Sequence, residues 1–179
     1  YSADLEIEKI DKGSVVISQI DNPSVFDFVI NNKGFSDNFE IYSFVGVSMA
    51  PKGTFDLPSG TSTIEVSAYP SKEIRQKPGY FIFEYQIRGV NSGIFQDTLQ
   101  IKIVDLKDAI AISADSIKVG DVFANVTIKN LENTNLNDLK ISFKSPFFAA
   151  EKTISLKPNE KIGIEVPIKE ESRKLTAGN

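Results

Sequence analysis

The sequence predicts an all-β protein made of two tandem β-sandwich units. Apolar and polar residues alternate with a period of two in segments rich in β-branched and aromatic residues, as in half-buried strands. Turns containing Gly, Pro, Asn and Asp separate these segments. The second part of the chain repeats the pattern of the first at an offset of about 100 residues, and a repeat of that length corresponds to one sandwich rather than one turn of a solenoid.

Seven segments of the first part are predicted strands, because their large apolar residues lie at every second position. In chain order they cover residues 5–10, 14–20, 25–31, 38–44, 62–68, 80–87 and 97–104. No stretch has a convincing helical pattern, and the best candidate, residues 71–77, amounts to one or two turns between strands. Four large apolar side chains alternate along residues 80–87, and we expect this strand to be the most buried one.

The internal repeat sets the predicted domain boundaries. The matched stretches are residues 28–32 with 126–130, 39–44 with 139–143, 56–66 with 155–166, and 77–79 with 176–178. We therefore predict a first sandwich over residues 1–105 and a second over residues 106–179, joined near residues 106–108. Because no Gly/Ser-rich linker separates them, the two units are expected to meet closely.

The second unit is expected to lack its last two strands in this chain. In the first unit, Gly79 is followed by two predicted strands, whereas the matching Gly178 is followed by Asn179. Such a loss would leave a half-open core and an unpaired sheet edge. A longer parent protein is the preferred explanation, and strands supplied by a partner chain are the alternative.

The start of the chain allows two interpretations. Residues 5–18 resemble residues 99–113, where one strand closes the first unit and the next opens the second. By that match, residues 1–11 are the closing strand of a preceding domain. The alternative is an ordinary first hairpin that turns through residues 11–13, and the sequence leaves both open.

The composition excludes several kinds of chemistry. The chain has no Cys, His or Trp, so it has neither disulfides nor the usual Cys and His catalytic groups and zinc or copper sites. With a net charge of −4, it lacks the basic surplus typical of a nucleic-acid-binding protein. No apolar run reaches the roughly 18–20 residues of a membrane span. No catalytic constellation or phosphate-binding loop is recognisable, and we predict a non-enzymatic protein without a cofactor or metal.

One modification site is predicted at Asn125, the first residue of an Asn-Val-Thr glycosylation sequon. Strand alternation places Asn125 toward solvent, with Val126 and Ile128 toward the core. The alternative is a chance sequon that is not modified. A second Asn-x-Ser stretch, at residues 22–24, does not qualify because proline occupies its middle position.

An oxygen-rich loop at residues 130–138 loosely resembles a calcium-binding loop. The pattern lacks a glycine at its sixth position, Asp138, and has Lys144 in place of the glutamate at its twelfth. Asn is also common in loops that need a positive φ. We therefore predict an inter-strand loop without a metal.

The order of these motifs resembles that of CARDB-like and related immunoglobulin-like repeats of archaeal and bacterial surface or secreted proteins. The resemblance spans nearly the whole chain and is carried by residues 30–32, 57–60 and 79 in the first unit and by residues 128–130, 156–159 and 178 in the second. Such repeats usually have Tyr two residues after the glycine, where this chain has Phe81. The resemblance implies immunoglobulin-like sandwiches, an extracytoplasmic location and a spacer, adhesive or assembly role.

We therefore expect a structural or interaction module of a larger cell-surface or secreted protein. Its expected partners are other domains of the same polypeptide or neighbouring surface proteins, with oligomers possible through open strand edges. One alternative is a carbohydrate-binding or enzyme-accessory sandwich, which needs exposed aromatic residues on one face and is disfavoured by the lack of Trp. Another is a filament subunit in which residues 1–11 donate a strand to the second unit of a neighbour.

Overall fold

The computed structural model describes residues 3–44 and 46–169. It divides into two compact units, residues 1–106 and 107–179. Most of the described residues lie in strands, which confirms the all-β prediction. The strands are β1 (Leu5–Gly13), β2 (Val15–Ile17), β3 (Ser24–Asn32), β4 (Asp37–Ser43), β5 (Val47–Ala50), β6 (Phe55–Leu57), β7 (Gly60–Pro70), β8 (Gly79–Gly89), β9 (Gly93–Val104), β10 (Ile110–Ala114), β11 (Phe123–Asn130), β12 (Leu136–Lys144), β13 (Ala149–Leu156) and β14 (Lys161–Pro167), and the single-turn helices are α1 (Lys72–Arg75) and α2 (Leu106–Ala109).

Unit 1, residues 1–106, is a β-sandwich of two sheets. One sheet has the strand order β1-β3-β7-β5, and the other has the order β2-β9-β8-β4-β6. Neighbouring strands are antiparallel except for β2 and β9, which run parallel with Val15 opposite Lys102. The inward-facing side chains of both sheets meet in one hydrophobic core.

Aromatic residues join the two sheets of unit 1 at the centre of the core. Phe28 on β3 and Tyr85 on β8 are fully buried, and their ring centroids lie 5.5 Å apart. Strand β3 is more buried than β8, so the expectation that residues 80–87 form the most buried strand is wrong. The reason is that outward side chains of β8, such as Tyr80 and Ile82, are exposed, whereas those of β3 are half-buried.

The position of β1 corrects both interpretations of the chain start. β1 pairs with β3 along its length, from Leu5 opposite Asn32 to Gly13 opposite Val25. It is therefore an edge strand in the sheet of unit 1, and neither closes a preceding domain nor forms a hairpin with β2. A register shift between Asp11 and Gly13 interrupts the pairing just before the chain crosses to the other sheet as β2.

Unit 2 is described over residues 107–169. Its strands form a three-stranded sheet, β10-β11-β14, and a two-stranded sheet, β12-β13, both antiparallel. Val126 and Ile128 of β11 and Leu136 of β12 are buried between them. Residues 176–178, which the repeat matches to the start of β8, lie outside the described residues.

Candidate interaction surfaces

A row of polar side chains crosses the solvent face of the five-stranded sheet of unit 1. Tyr42 on β4, Gln86 on β8 and Gln96 on β9 lie opposite one another in the strand register. The Tyr42 hydroxyl donates to Gln86 Oε1 at 2.6 Å, and Gln86 Nε2 donates to Gln96 Oε1 at 3.2 Å. Gln96 Nε2 in turn donates to Glu84 Oε2 at 3.2 Å. The hydrogen bonds of the row therefore orient hydroxyl, amide and carboxylate groups on one face of the sheet.

An arginine and a second aromatic ring border this row. The guanidinium carbon of Arg88 lies 5.1 Å from the centroid of the Tyr42 ring, and Arg88 Nη2 donates to the Tyr42 hydroxyl at 2.6 Å. Phe44 meets Tyr42 edge-on, with ring centroids 5.2 Å apart, and is 69% exposed. We call the surface formed by Tyr42, Phe44, Glu84, Gln86, Arg88 and Gln96 the Tyr42 face.

The sequence contains a signal for the Tyr42 face, although none of its residues is among the candidate residues named from the sequence. Phe39 and Ile41 of β4 are buried, so strand alternation directs Tyr42 outward. An aromatic residue at an outward position of a strand is the feature that indicates a binding surface. It was missed because aromatic residues are equally typical of buried strand positions.

A buried asparagine ties two loops together at one end of unit 1. Asn32, the last residue of β3, is 3% exposed. Its Nδ2 donates to the carbonyl oxygens of Phe35 at 3.0 Å and Leu57 at 3.1 Å, and its Oδ1 accepts from the backbone nitrogen of Gly34 at 3.0 Å. Both ends of the amide are therefore used, and the loop after β3 is fastened to the end of β6.

Unit 2 contains the same arrangement around Asn130, the last residue of β11. Its Nδ2 donates to the carbonyl oxygens of Thr134 at 2.7 Å and Lys157 at 3.0 Å, and its Oδ1 accepts from the backbone nitrogen of Glu132 at 3.0 Å. We call this arrangement the asparagine clamp in both units. It gives a structural reason for the asparagine that ends each of the matched stretches, residues 28–32 and 126–130.

A buried carboxylate, Asp37, fixes the turn between β8 and β9. It accepts hydrogen bonds from the backbone nitrogen of Asn91 at 2.8 Å and from the Ser92 hydroxyl. The hydrogen bond from Ser92, followed by those from backbone nitrogens, holds the pKa of Asp37 below its usual range. The carboxylate is thus engaged in holding this turn against the start of β4.

Arg75 of α1 is also buried, at 5% exposure. Its guanidinium donates to the carbonyl oxygens of Ile17 at 3.1 Å and Asn22 at 3.2 Å, and also to that of Ile20. Burial lowers the pKa of Arg75, and the Asp21 carboxylate, 3.5 Å away, opposes that shift although its own side chain is 97% exposed. The arginine therefore fastens the loop between β2 and β3 to the single turn of α1.

The structure places Asn125 as the alternation predicted. Asn125 is exposed in the middle of β11, while Val126 and Ile128 are buried. In the register it lies opposite Glu165 of β14. The side chain is accessible, and its glycosylation stays a prediction.

The oxygen-rich loop is a connection shaped by backbone geometry. Asp138 has a positive φ of 53°, and its backbone nitrogen donates to the Ser155 hydroxyl at 3.1 Å. Across residues 3–44 and 46–169, no three Asp or Glu side chains come close enough to hold a metal ion. In the same residues, neither helix has the length and apolar character of a membrane span.

No protein-family model matches the sequence, and no curated protein is similar to it. The chain is similar to a protein of unknown function from Porphyromonas gingivalis W83, with 13% identity over 96% of this chain and 86% of that one and a TM-score of 0.40. It is also similar to a structure of a chaperone–tip adhesin complex of CFA/I fimbriae biogenesis, with 13% identity over 90% of this chain and 85% of that one and a TM-score of 0.37. At these TM-scores, neither similarity bears on function.

Proposed function

We propose that this chain is a non-enzymatic structural and interaction module of a larger cell-surface or secreted protein, formed by two tandem immunoglobulin-like sandwiches. The strand order of unit 1 supports the immunoglobulin-like part. Its orders β1-β3-β7-β5 and β9-β8-β4 correspond to the A-B-E-D and G-F-C sheets of that fold. In unit 2, the order β10-β11-β14 corresponds to the first three strands, A-B-E.

The observation that carries the proposal is the asparagine clamp, which recurs in both units with the same donors and acceptors. Two copies of one domain fold are expected to share a buried, hydrogen-bonded residue of this kind. The other buried polar groups have similar roles, since Asp37 holds a turn and Arg75 holds a loop. Catalytic sites instead direct ionisable groups into a cleft, so this use of polar groups favours a structural role.

The proposed location rests on the resemblance to CARDB-like surface repeats. In such a setting, the two units would space or connect other domains of the same polypeptide or contact neighbouring surface proteins. Sheet edges and the outward faces of strands would provide these contacts.

Antibody labelling and intact mass, both measured on the natural protein in its source cells, test this proposal. We expect an antibody against unit 1 to label unpermeabilised cells or the culture medium. We also expect the protein that it captures to exceed the 19.8 kDa of this chain. Labelling that appears only after permeabilisation would contradict the proposed location, and a mass of 19.8 kDa would contradict a larger parent protein.

A second candidate function, carbohydrate binding, is favoured by the Tyr42 face. Sugars are bound by aromatic rings that cover their apolar surfaces and by fixed polar groups that bond their hydroxyls, and this face presents both. A glycan array with the purified chain tests it, with Tyr42→Ala and Arg88→Ala expected to abolish binding. Tyr69→Ala, which removes a 40% exposed ring from β7 in the other sheet, is the matched control. If the purified chain bound no glycan, or if Tyr69→Ala reduced glycan binding as much as Tyr42→Ala and Arg88→Ala, carbohydrate binding by this face would be excluded.

The filament alternative is weakened by the pairing of β1. Residues 1–11 were the expected donor segment, but Leu5–Gly13 already pairs with β3 in its own unit. Donation to a neighbour would require this strand to leave its sheet and expose the β3 edge.

A further inference from the structure

The two edges of strand β8 in unit 1 are not equally covered. β9 pairs with one edge over the whole strand, Gly79–Gly89. β4 pairs with the other edge only as far as Tyr85, because β4 ends at Ser43 and the chain then crosses to the other sheet, where Val47 begins β5. Within the described part of unit 1, no strand pairs with this second edge of β8 over residues 79–84. The first half of β8 therefore has an open edge.

The backbone groups of Tyr80 and Ile82 point toward this open edge. Ser43 Oγ donates to the carbonyl oxygen of Glu84 at 3.0 Å, which places that carbonyl on the β4 side of β8. Backbone groups of alternate residues in a strand point the same way, so those of Ile82 and Tyr80 share this direction. Both residues therefore present an N–H and a C=O group to an incoming strand.

The side chains along the open edge are apolar. Tyr80 is 70% exposed and Ile82 is 61% exposed, and both lie on the outer face of the sheet. Phe81 lies between them and faces the core side, where it lines a cavity of about 350 Å³ together with Ile74 and Pro78. An incoming strand can therefore make apolar contacts on both faces of the sheet.

Other edge strands of unit 1 have features that hinder the addition of a further strand. Strands β2, β5 and β6 have no more than four residues each. Strand β1 is longer, but its pairing shifts register near its end, and it carries the charged residues Glu6, Glu8, Lys9 and Lys12. Across Tyr80–Ile82, the edge of β8 has neither a charge nor a register shift. This is typical of an edge that another strand covers.

We propose that the open edge of β8 is a self-association site, at which β8 of a second copy of this chain adds in the antiparallel direction. The second copy is the occupant because the edge is complementary to itself. When the two Phe81 residues lie opposite each other on a two-fold axis, Tyr80 of each copy lies opposite Ile82 of the other. The edge-directed backbone groups of these two residues then bond each other, and aromatic and branched side chains pair on the outer face.

Charge complementarity supports the same register. With Phe81 on the two-fold axis, Glu84 of one copy lies opposite Pro78 of the other, and hence next to Lys77. Glu84 and Lys77 are both exposed. The symmetry forms this pair of opposite charges twice, once at each end of the contact, and opposite charges across a strand pair are favourable.

This inference deepens the interaction role proposed above by naming the partner, and sedimentation equilibrium of the purified full chain tests it. We expect a monomer–dimer equilibrium. Ile82→Lys places a lysine from each copy in the contact and is expected to raise the dissociation constant of the dimer by at least about tenfold. Ile10→Lys, at an exposed position on the edge strand β1, is the matched control and is expected to leave that constant unchanged.

Two outcomes of this experiment would overturn the proposal. One is a chain that stays monomeric at every concentration, and the other is a dimer that Ile10→Lys weakens as much as Ile82→Lys. Neither outcome touches the proposed surface location or the larger parent protein, because labelling of cells and intact mass test those separately.

A charge exchange tests the register of the contact. Lys77→Glu and Glu84→Lys are each expected to raise the dissociation constant of the dimer by about threefold or more, because each change sets like charges side by side at both ends. The double variant re-forms the two pairs with their signs reversed and is expected to restore the original constant. A double variant that dimerises no better than the single variants would contradict this register.

A cysteine substitution tests the two-fold axis. The chain has no cysteine, so Phe81→Cys introduces a single thiol, and opposed residues in an antiparallel pair are close enough for a disulfide. We expect mild oxidation to give a covalent dimer, seen on a non-reducing gel. Val90→Cys, exposed in the turn after β8, is the control and is expected to stay monomeric on the gel. Equal cross-linking of the two variants, or none with Phe81→Cys, would overturn the proposed contact.

Discussion

The side-chain nitrogen of Asn32 donates a hydrogen bond to the carbonyl oxygen of Leu57 at 3.1 Å. In unit 2, Asn130 makes the same bond to Lys157 at 3.0 Å. Each asparagine also bonds its own loop through both ends of its amide. One buried side chain therefore fixes two loops in each unit, and its removal leaves buried backbone groups without partners.

We predict that Asn32→Ala and Asn130→Ala each lower the free energy of unfolding by about 1–3 kcal/mol, the cost of leaving buried polar groups unsatisfied. Urea denaturation followed by far-UV circular dichroism measures the change. Asn31→Ala, one residue earlier on β3 and facing the other side, is the control and is expected to have a much smaller effect. Equal losses at Asn31 and Asn32 would contradict the clamp.

Strand alternation and turn residues predicted seven strands of unit 1, each ending within a few residues of the observed bounds. The best helical candidate in the sequence, residues 71–77, contains α1, which covers Lys72–Arg75 with the Ser71 side chain at its start. Strands β5 and β6 were missed, because four and three residues are too few to show a period.

The long-range arrangements were harder to predict. The sequence shows that Asn32 ends a strand, but its partner Leu57 lies 25 residues away, and no local pattern indicates that bond. The role of Arg75 was missed for the same reason, since its partners begin 53 residues earlier in the chain. Pairing of β1 with β3, rather than with β2, likewise depends on sheet assembly and not on the turn at residues 11–13.

Gly89, at the end of β8, has no room for a side chain. A Cβ at this position would lie 2.8 Å from Asp37 Oδ2 and 2.9 Å from Phe39 Cε1. We predict that Gly89→Ala lowers the free energy of unfolding by about 1–3 kcal/mol, because the core and turn must shift to admit the methyl group. Gly163→Ala on β14 is the control, since a Cβ there has no atom within 4 Å. Thermal unfolding compares the two variants, and an equal effect would contradict the steric argument.

Stability is expected to depend on the charge of Asp37 at acid pH. Its folded pKa is lowered, led by the hydrogen bond from Ser92, so the stability it contributes is fully present above the unfolded pKa of about 3.9. That contribution is lost as the pH falls through the lower folded pKa. We predict that Asp37→Asn is less stable than the original chain at about pH 6 and that the difference narrows below about pH 3.9. Urea denaturation between about pH 2.5 and pH 6, in steps of about one pH unit, measures this. If the difference in the free energy of unfolding between the two proteins stayed constant over this pH range, the stabilising role of the Asp37 charge would be contradicted. Asp56→Asn, at an exposed position on β6, is the control.

Arg75 is expected to stabilise unit 1 through its hydrogen bonds rather than through its ion pair. Its guanidinium bonds the carbonyl oxygens of Ile17 and Asn22, whereas its partner Asp21 is almost fully exposed and an ion pair of that kind contributes little. We predict that Arg75→Met lowers the free energy of unfolding by about 1–3 kcal/mol, because the carbonyls lose the guanidinium donor, and that Asp21→Asn changes it by less than about 0.5 kcal/mol. Lys72→Met, an exposed position in the same helical turn, controls for the loss of a positive charge. If Asp21→Asn were as destabilising as Arg75→Met in urea denaturation, the ion pair and not the carbonyl bonds would account for the role of Arg75.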